Sequence, residues 1–97
     1  AYRVVVYVSS DRVSFSGSET RIYVKTAESG NPRHQVFCPE CGTQLYATSA
    51  EAPPKILGIR LGTARQFASL PPKKQVWCRS ALSWVSDVGL IPGVEKQ

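Results

Sequence analysis

Residues 36 to 46 read VFCPECGTQLY, and this stretch constrains the fold more than any other. Cys38 and Cys41 stand three positions apart, with a proline between them and a glycine directly after. Two thiolates at that spacing can reach one metal ion only if the backbone between them turns tightly. Pro39 presets φ at the start of such a turn. Gly42 tolerates the positive φ that often closes it, which lets backbone N–H groups point at the sulfurs. The flanking runs, VF and QLY, are strand formers, so the turn is predicted as the tip of an antiparallel hairpin. A redox CxxC normally opens a helix whose dipole lowers the thiol pKa. The GTQLYATS that follows Cys41 reads as strand instead, so metal binding is favoured over redox chemistry.

The rest of the chain has the same texture. Tyr2–Val8 is a β-branched and aromatic run, and Thr20–Thr26 alternates polar with apolar residues; both are predicted strands. Arg12–Phe15 is a short alternating piece. His34–Phe37 enters the cysteine turn and Gln44–Thr48 leaves it. Lys55–Leu61 is a further strand, with Gly58 as a bulge or close-packing point, and Gln75–Cys78 a brief one. Residues 62–74 are irregular or hold one short helical turn. The tail is expected to be frayed but anchored by Leu82, Trp84, Val85, Leu90 and Ile91. Turn-rich segments separate these runs, and no stretch carries a long helical period. The fold class is therefore all-β.

With 97 residues the chain is a single domain. A chain of this size buries roughly 60–70% of its unfolded surface, so its core is thin, and a metal, ligand or partner chain helps to hold it. Hydrophobic residues at 42% and charged residues at 20% exclude a disordered composition. No apolar run approaches the roughly 20 residues that cross a bilayer, and no leader pattern is visible, so no membrane partner is expected. Three cysteines are too few and too odd in number for a secreted disulfide scaffold; a cytoplasmic, reduced setting is expected. There is no methionine, so Ala1 is not a translation start as written, and either an initiator was removed or the chain continues upstream. The net charge of +5 permits binding to nucleic acid or small anions. The basic residues are scattered, however, and only Lys73 and Lys74 are adjacent. A solvated basic surface is therefore preferred to a nucleic-acid face, and strand packing to base stacking for Tyr2, Tyr7, Tyr23 and Tyr46.

A closed structural zinc site takes four ligands. Beyond Cys38 and Cys41, the candidates are Cys78 and His34. Each has a plainer role, Cys78 as a buried free thiol and His34 as a polar residue at a strand end.

The segments FCPECGTQLY, ILGIRLGT, PPKKQVW and LSW, with VVVYVSSDRVSFSGSETRIYV upstream, resemble the glutathione-dependent formaldehyde-activating enzyme family, which includes the centromere protein V-like proteins. The likeness runs through most of the 97 residues and is most specific at the cysteine turn. It implies an Mss4-like fold, a folded-over β structure built around zinc. It also implies carbon–sulfur lyase chemistry, in which glutathione and formaldehyde combine into S-hydroxymethylglutathione. In the family, one zinc is structural and held by four cysteines, two of which map onto Cys38 and Cys41. A second, catalytic zinc is held by three cysteines of an upstream motif. Neither upstream motif occurs in this chain, so no catalytic residue is assigned, and residues 1–97 are expected to be a partial domain of the family, inactive as given. Cys78 stands where the family would place a small polar residue. The expected cofactor is zinc with an incomplete ligand set, and the expected ligand is glutathione or another small thiol adduct. The alternative is a non-catalytic zinc-knuckle β domain that binds a ligand or protein, with a homodimer as one form. Two knuckles across a two-fold axis would offer four cysteines to one zinc.

Overall fold

The computed structural model describes residues 2–96 of the chain. Five antiparallel strands form one sheet: β1 (Val5–Ser9), β2 (Arg21–Thr26), β3 (Pro32–Phe37), β4 (Gln44–Ser49) and β5 (Ile56–Arg60). The order across the sheet is β1-β5-β4-β3-β2. β2, β3, β4 and β5 follow one another as a meander, and β1 returns to close the β5 side, with Val5 opposite Arg60 and Ser9 opposite Ile56. This is the all-β class that the alternating runs predict.

Because paired residues share a face and successive residues alternate, the register sorts the side chains completely. One row runs Val6, Ile59, Tyr46, Val36, Ile22, and the next runs Val8, Leu57, Thr48, His34, Val24. This apolar face holds the core: Val36 and Leu57 are 2% exposed, and Thr48 is 3% exposed with its hydroxyl donating to the Ile56 carbonyl at 2.7 Å. Phe15, from the loop after β1, lays its ring against Tyr46 with centroids 5.1 Å apart.

The opposite face carries Tyr7, Gly58, Ala47, Gln35 and Tyr23 in one row, and Arg33 beside Lys25 in the next. Gly58 is a close-packing point: a Cβ there would stand 3.0 Å from Val5 Cγ1 and 3.4 Å from Tyr7 Cε1. Its absence lets the Tyr7 ring settle onto the sheet. The irregularity in register falls elsewhere, between Val36 and Phe37, just before the cysteine turn.

Several expectations need correction. Arg12–Phe15 is not a strand; a 3-10 turn at Ser10–Arg12 ends β1 instead. Gln75–Cys78 has no strand partner, and a 3-10 turn follows at Cys78–Ser80, entered through Trp77 at φ 64°. Residues 62–74 hold two short 3-10 turns rather than one, at Leu61–Thr63 and Phe67–Ser69. The tail forms a 3-10 stretch at Ser83–Leu90, and of its expected anchors only Val85 is half-buried; Leu82, Trp84, Leu90 and Ile91 are exposed. A short apolar run predicts burial only where a neighbouring surface receives it, and the sheet does not reach this far.

The molecule is consequently open. Its radius of gyration is 15.7 Å, against about 12.5 Å for a self-contained domain of this length. Its accessible surface is 8615 Å², against about 5,500 Å² for a compact monomer of this mass.

Candidate functional site: the cysteine turn

The hairpin between β3 and β4 positions the thiol pair. The Cys38 N–H donates to the Thr43 carbonyl at 2.9 Å, and the Gly42 N–H donates to the Cys38 carbonyl at 2.9 Å. Gly42 has φ +73°, the left-handed conformation for which a glycine is suited. The turn thus closes on itself through backbone bonds alone, leaving both side chains at the tip. Cys38 is half-buried and Cys41 exposed.

The Cys41 sulfur lies 3.1 Å from the Thr43 hydroxyl. That hydroxyl holds the Cys41 thiol below its ordinary pKa, helped by the Thr43 backbone and by the neighbouring Cys38 thiol, against a smaller opposing effect of desolvation. The thiolate is the metal-binding and nucleophilic form. A hairpin tip that stabilises a thiolate with one hydroxyl and a backbone group is chemically suited to ligating a soft cation or attacking an electrophilic carbon. Thr43 escaped the sequence reading. Its only signal was a hydroxyl residue directly after CxxCG.

The structure keeps the other two candidates away from the pair. His34 is not at a strand end; it sits within β3, opposite Val24 and Thr48 on the apolar face. Four residues of extended strand, about 13 Å, separate it from Cys38. Cys78 is exposed rather than buried. Its neighbour Arg79 stacks on Trp77 and pairs with Glu28 at 3.0 Å, in the β2–β3 turn at the end of β3 remote from the cysteine pair. Among the described residues, no group of three or more His, Cys, Asp or Glu side chains is placed to hold a metal ion. Among the described residues, Cys38 and Cys41 thus stand at the turn without a third Cys, His, Asp or Glu side chain placed to join them on a metal ion.

The thiol chemistry is directly testable. In metal-free protein at neutral pH, Cys41 is expected to alkylate faster than the exposed Cys78, because its lowered pKa gives a larger thiolate fraction. Thr43→Val removes the hydroxyl and should move the Cys41 titration to higher pH, slowing alkylation near pH 7 several-fold. Mass-resolved iodoacetamide kinetics on Cys41 and Cys78 across pH would measure this, and identical profiles for the two thiols would contradict it.

A hollow of about 410 Å³ opens at the base of the turn, on the face opposite the core. It is lined by Arg3, Tyr23, Lys25, Gln35, Phe37 and Gln44. Phe37 and Gln44 are the pair from which the cysteine turn springs.

Comparison with known proteins gives one match. The model of a family described as glutathione-dependent formaldehyde-activating enzyme matches residues 1–80. No curated protein and no solved structure matches the chain.

Proposed function

The chain belongs to the glutathione-dependent formaldehyde-activating enzyme family, and from that premise we propose that it is the β scaffold of a carbon–sulfur lyase-type domain whose ligand is the formaldehyde adduct of glutathione or of another small thiol. The observation that carries the reading is the family match over residues 1–80, which contains the thiol pair of the β3–β4 tip. In this reading Cys38 and Cys41 are two ligands of a structural zinc, and the Thr43 contact keeps one of them ready to deprotonate. The chain has three cysteines, fewer than the family's structural and catalytic zinc sites need together. The 97-residue chain alone is accordingly a binding and scaffolding unit and not a complete catalyst.

The test combines two measurements on the purified chain. Glutathione-dependent formaldehyde consumption is expected to equal the spontaneous rate, with or without added zinc. Metal analysis is expected to give less than one zinc per chain. A rate well above background would remove the scaffold reading, and one tightly held zinc in a monomer would mean that donors meet which the fold holds apart.

One observation supports the second reading, a non-catalytic domain that works as a homodimer. The exposed surface of one chain exceeds the compact expectation by about 3,000 Å², more than the roughly 1,000–2,500 Å² per partner that obligate interfaces bury, so a second copy has ample surface to cover. Two hairpin tips meeting on a two-fold axis would bring four thiolates to one zinc. Sedimentation of the zinc-loaded chain separates the readings: a dimer with half a zinc per chain supports the shared site, and a metal-free monomer that stays folded dismisses it. No helix among the described residues is long and apolar enough to cross a membrane.

A further inference from the structure

The face of the sheet opposite the core has no assigned role, and its composition is unusual. Arg21, Lys25, Arg33 and Arg60 project from it by register, and Arg3 joins them by lining the hollow with Tyr23 and Lys25. These cations are far apart in sequence; alternation and strand order collect them. None of the five is in an ion pair, since the salt bridge found among the described residues joins Arg79 to Glu28. Glu51, which lines one hollow of this face, accepts from the Ser49 hydroxyl at 2.9 Å and from the Lys55 backbone N–H at 3.4 Å.

Three details point to an anion as the missing partner. Lys25 stands directly opposite Arg33 in the β2–β3 register, a like-charge pairing that destabilises a sheet unless something negative lies between the two. Arg60 is only 9% exposed and its Nη2 donates to Gln35 at 3.0 Å, so it makes no surface contact but adds its positive charge beneath the same face. A second hollow, of about 460 Å³, lies on the same face and is lined by Tyr7, Arg33 and Lys55, with Glu51 as its one carboxylate.

The same face offers rings. Tyr7 and Tyr23 are 72% and 63% exposed and lie at opposite ends of one cross-strand row, with Gly58, Ala47 and Gln35 between them. Four strand spacings set them about 19 Å apart. The Tyr7 ring rests over Gly58, which leaves its outer side open for stacking. A small molecule is normally held by burying most of its surface, and a sheet face walled by exposed tyrosines does not do that. Cations spread around aromatic platforms suit an extended polyanion with unpaired bases.

We propose that this face binds single-stranded nucleic acid, with phosphates along Arg3, Arg21, Lys25 and Arg33 and bases stacked on Tyr7 and Tyr23. The inference is independent of the thiol site.

The test is fluorescence anisotropy of the full chain with a labelled oligouridylate of about 12 nucleotides, a length within the usual site size. Four phosphate contacts predict a roughly 50-fold loss of affinity between about 50 and about 200 mM salt. Lys25→Ala with Arg33→Ala should make that salt dependence about half as steep. Because this pair also removes the like-charge contact, the melting temperature should not fall, which separates lost binding from lost folding. Tyr23→Ala, at an exposed edge, should weaken binding roughly tenfold, and Tyr7→Ala should do the same. The proposal is overturned by any of four results: no binding at low salt, equal binding of a duplex, displacement of the oligonucleotide by millimolar glutathione, or binding that heparin matches and the tyrosine substitutions leave unchanged.

Discussion

Leu57→Ala is expected to remove a large share of the folding free energy at 25 °C and to lower the unfolding midpoint sharply. Leu57 is 2% exposed at the centre of the apolar face, opposite Val8 on β1. Truncating a buried leucine typically costs about 2–5 kcal/mol, the upper part when the site cannot collapse. Collapse is unfavourable here because Leu57 is held in register by strands on both sides. The core that would absorb the loss is small: Val36 shares this face and Leu61 follows β5, while Ala47 is buried on the opposite face. A domain of this length has roughly 5–15 kcal/mol in total, and an open sheet lies at the low end. One cavity therefore removes a large share of it. Leu90→Ala, at a position 82% exposed, should change stability by less than about 0.5 kcal/mol. Urea unfolding followed by tryptophan fluorescence and circular dichroism compares the two. Equal midpoints would mean that the sheet's apolar face is not the core.

The second large effect concerns the cation under the basic face. The Arg60 guanidinium is pushed below its ordinary pKa chiefly by burial, and further by the charge of Arg3, with Tyr7 acting weakly the other way. It remains charged at any ordinary pH, so the folded state carries a desolvated cation whose side-chain acceptor is Gln35 at 3.0 Å. Gln35→Leu leaves that cation without the acceptor and is expected to cost about 1–3 kcal/mol. Arg60→Met removes the charge and keeps the volume, and should be neutral or stabilising, as is common when a buried ionic group gives way to an apolar one. On the Arg60→Met background, Gln35→Leu should cost little. Denaturant titration of all four proteins completes the cycle. A Gln35→Leu penalty that is the same in both backgrounds would show that the hydrogen bond does not hold the guanidinium.

The sequence placed the strands well where turns bound them. β2, β4 and β5 lie within one residue of the expected runs, β3 begins two residues early, at Pro32, and β1 begins three residues late, at Val5 rather than Tyr2. Pro32 is admissible there because it is the first residue of its strand. Misses came where an apolar run met no partner. Gln75–Cys78 has strand composition but no strand beside it, and composition cannot supply the other half of a ladder. At the site, the Cys38–Cys41 turn and its Gly42 conformation were readable because they depend on residues close in the chain. Thr43 was overlooked for want of a motif that marks a hydroxyl as a thiol partner. The separation of His34 and Cys78 from the pair was not readable at all, since it depends on which way β3 faces and where the tail is tied down by the Arg79–Glu28 pair.

By itself, then, the sequence determined what is local: alternation of side chains, hairpin turns, a paired-thiol tip and the likeness to one family. Only the tertiary structure decided what joins distant residues. It brought β1 beside β5 across some fifty residues of chain, since Val5 pairs with Arg60, and it put five cations scattered between Arg3 and Arg60 onto one side of the sheet. The reason is that a period of two tells which residues of a strand share a face but not which strand lies alongside. That choice depends on the pairing free energy of the whole sheet.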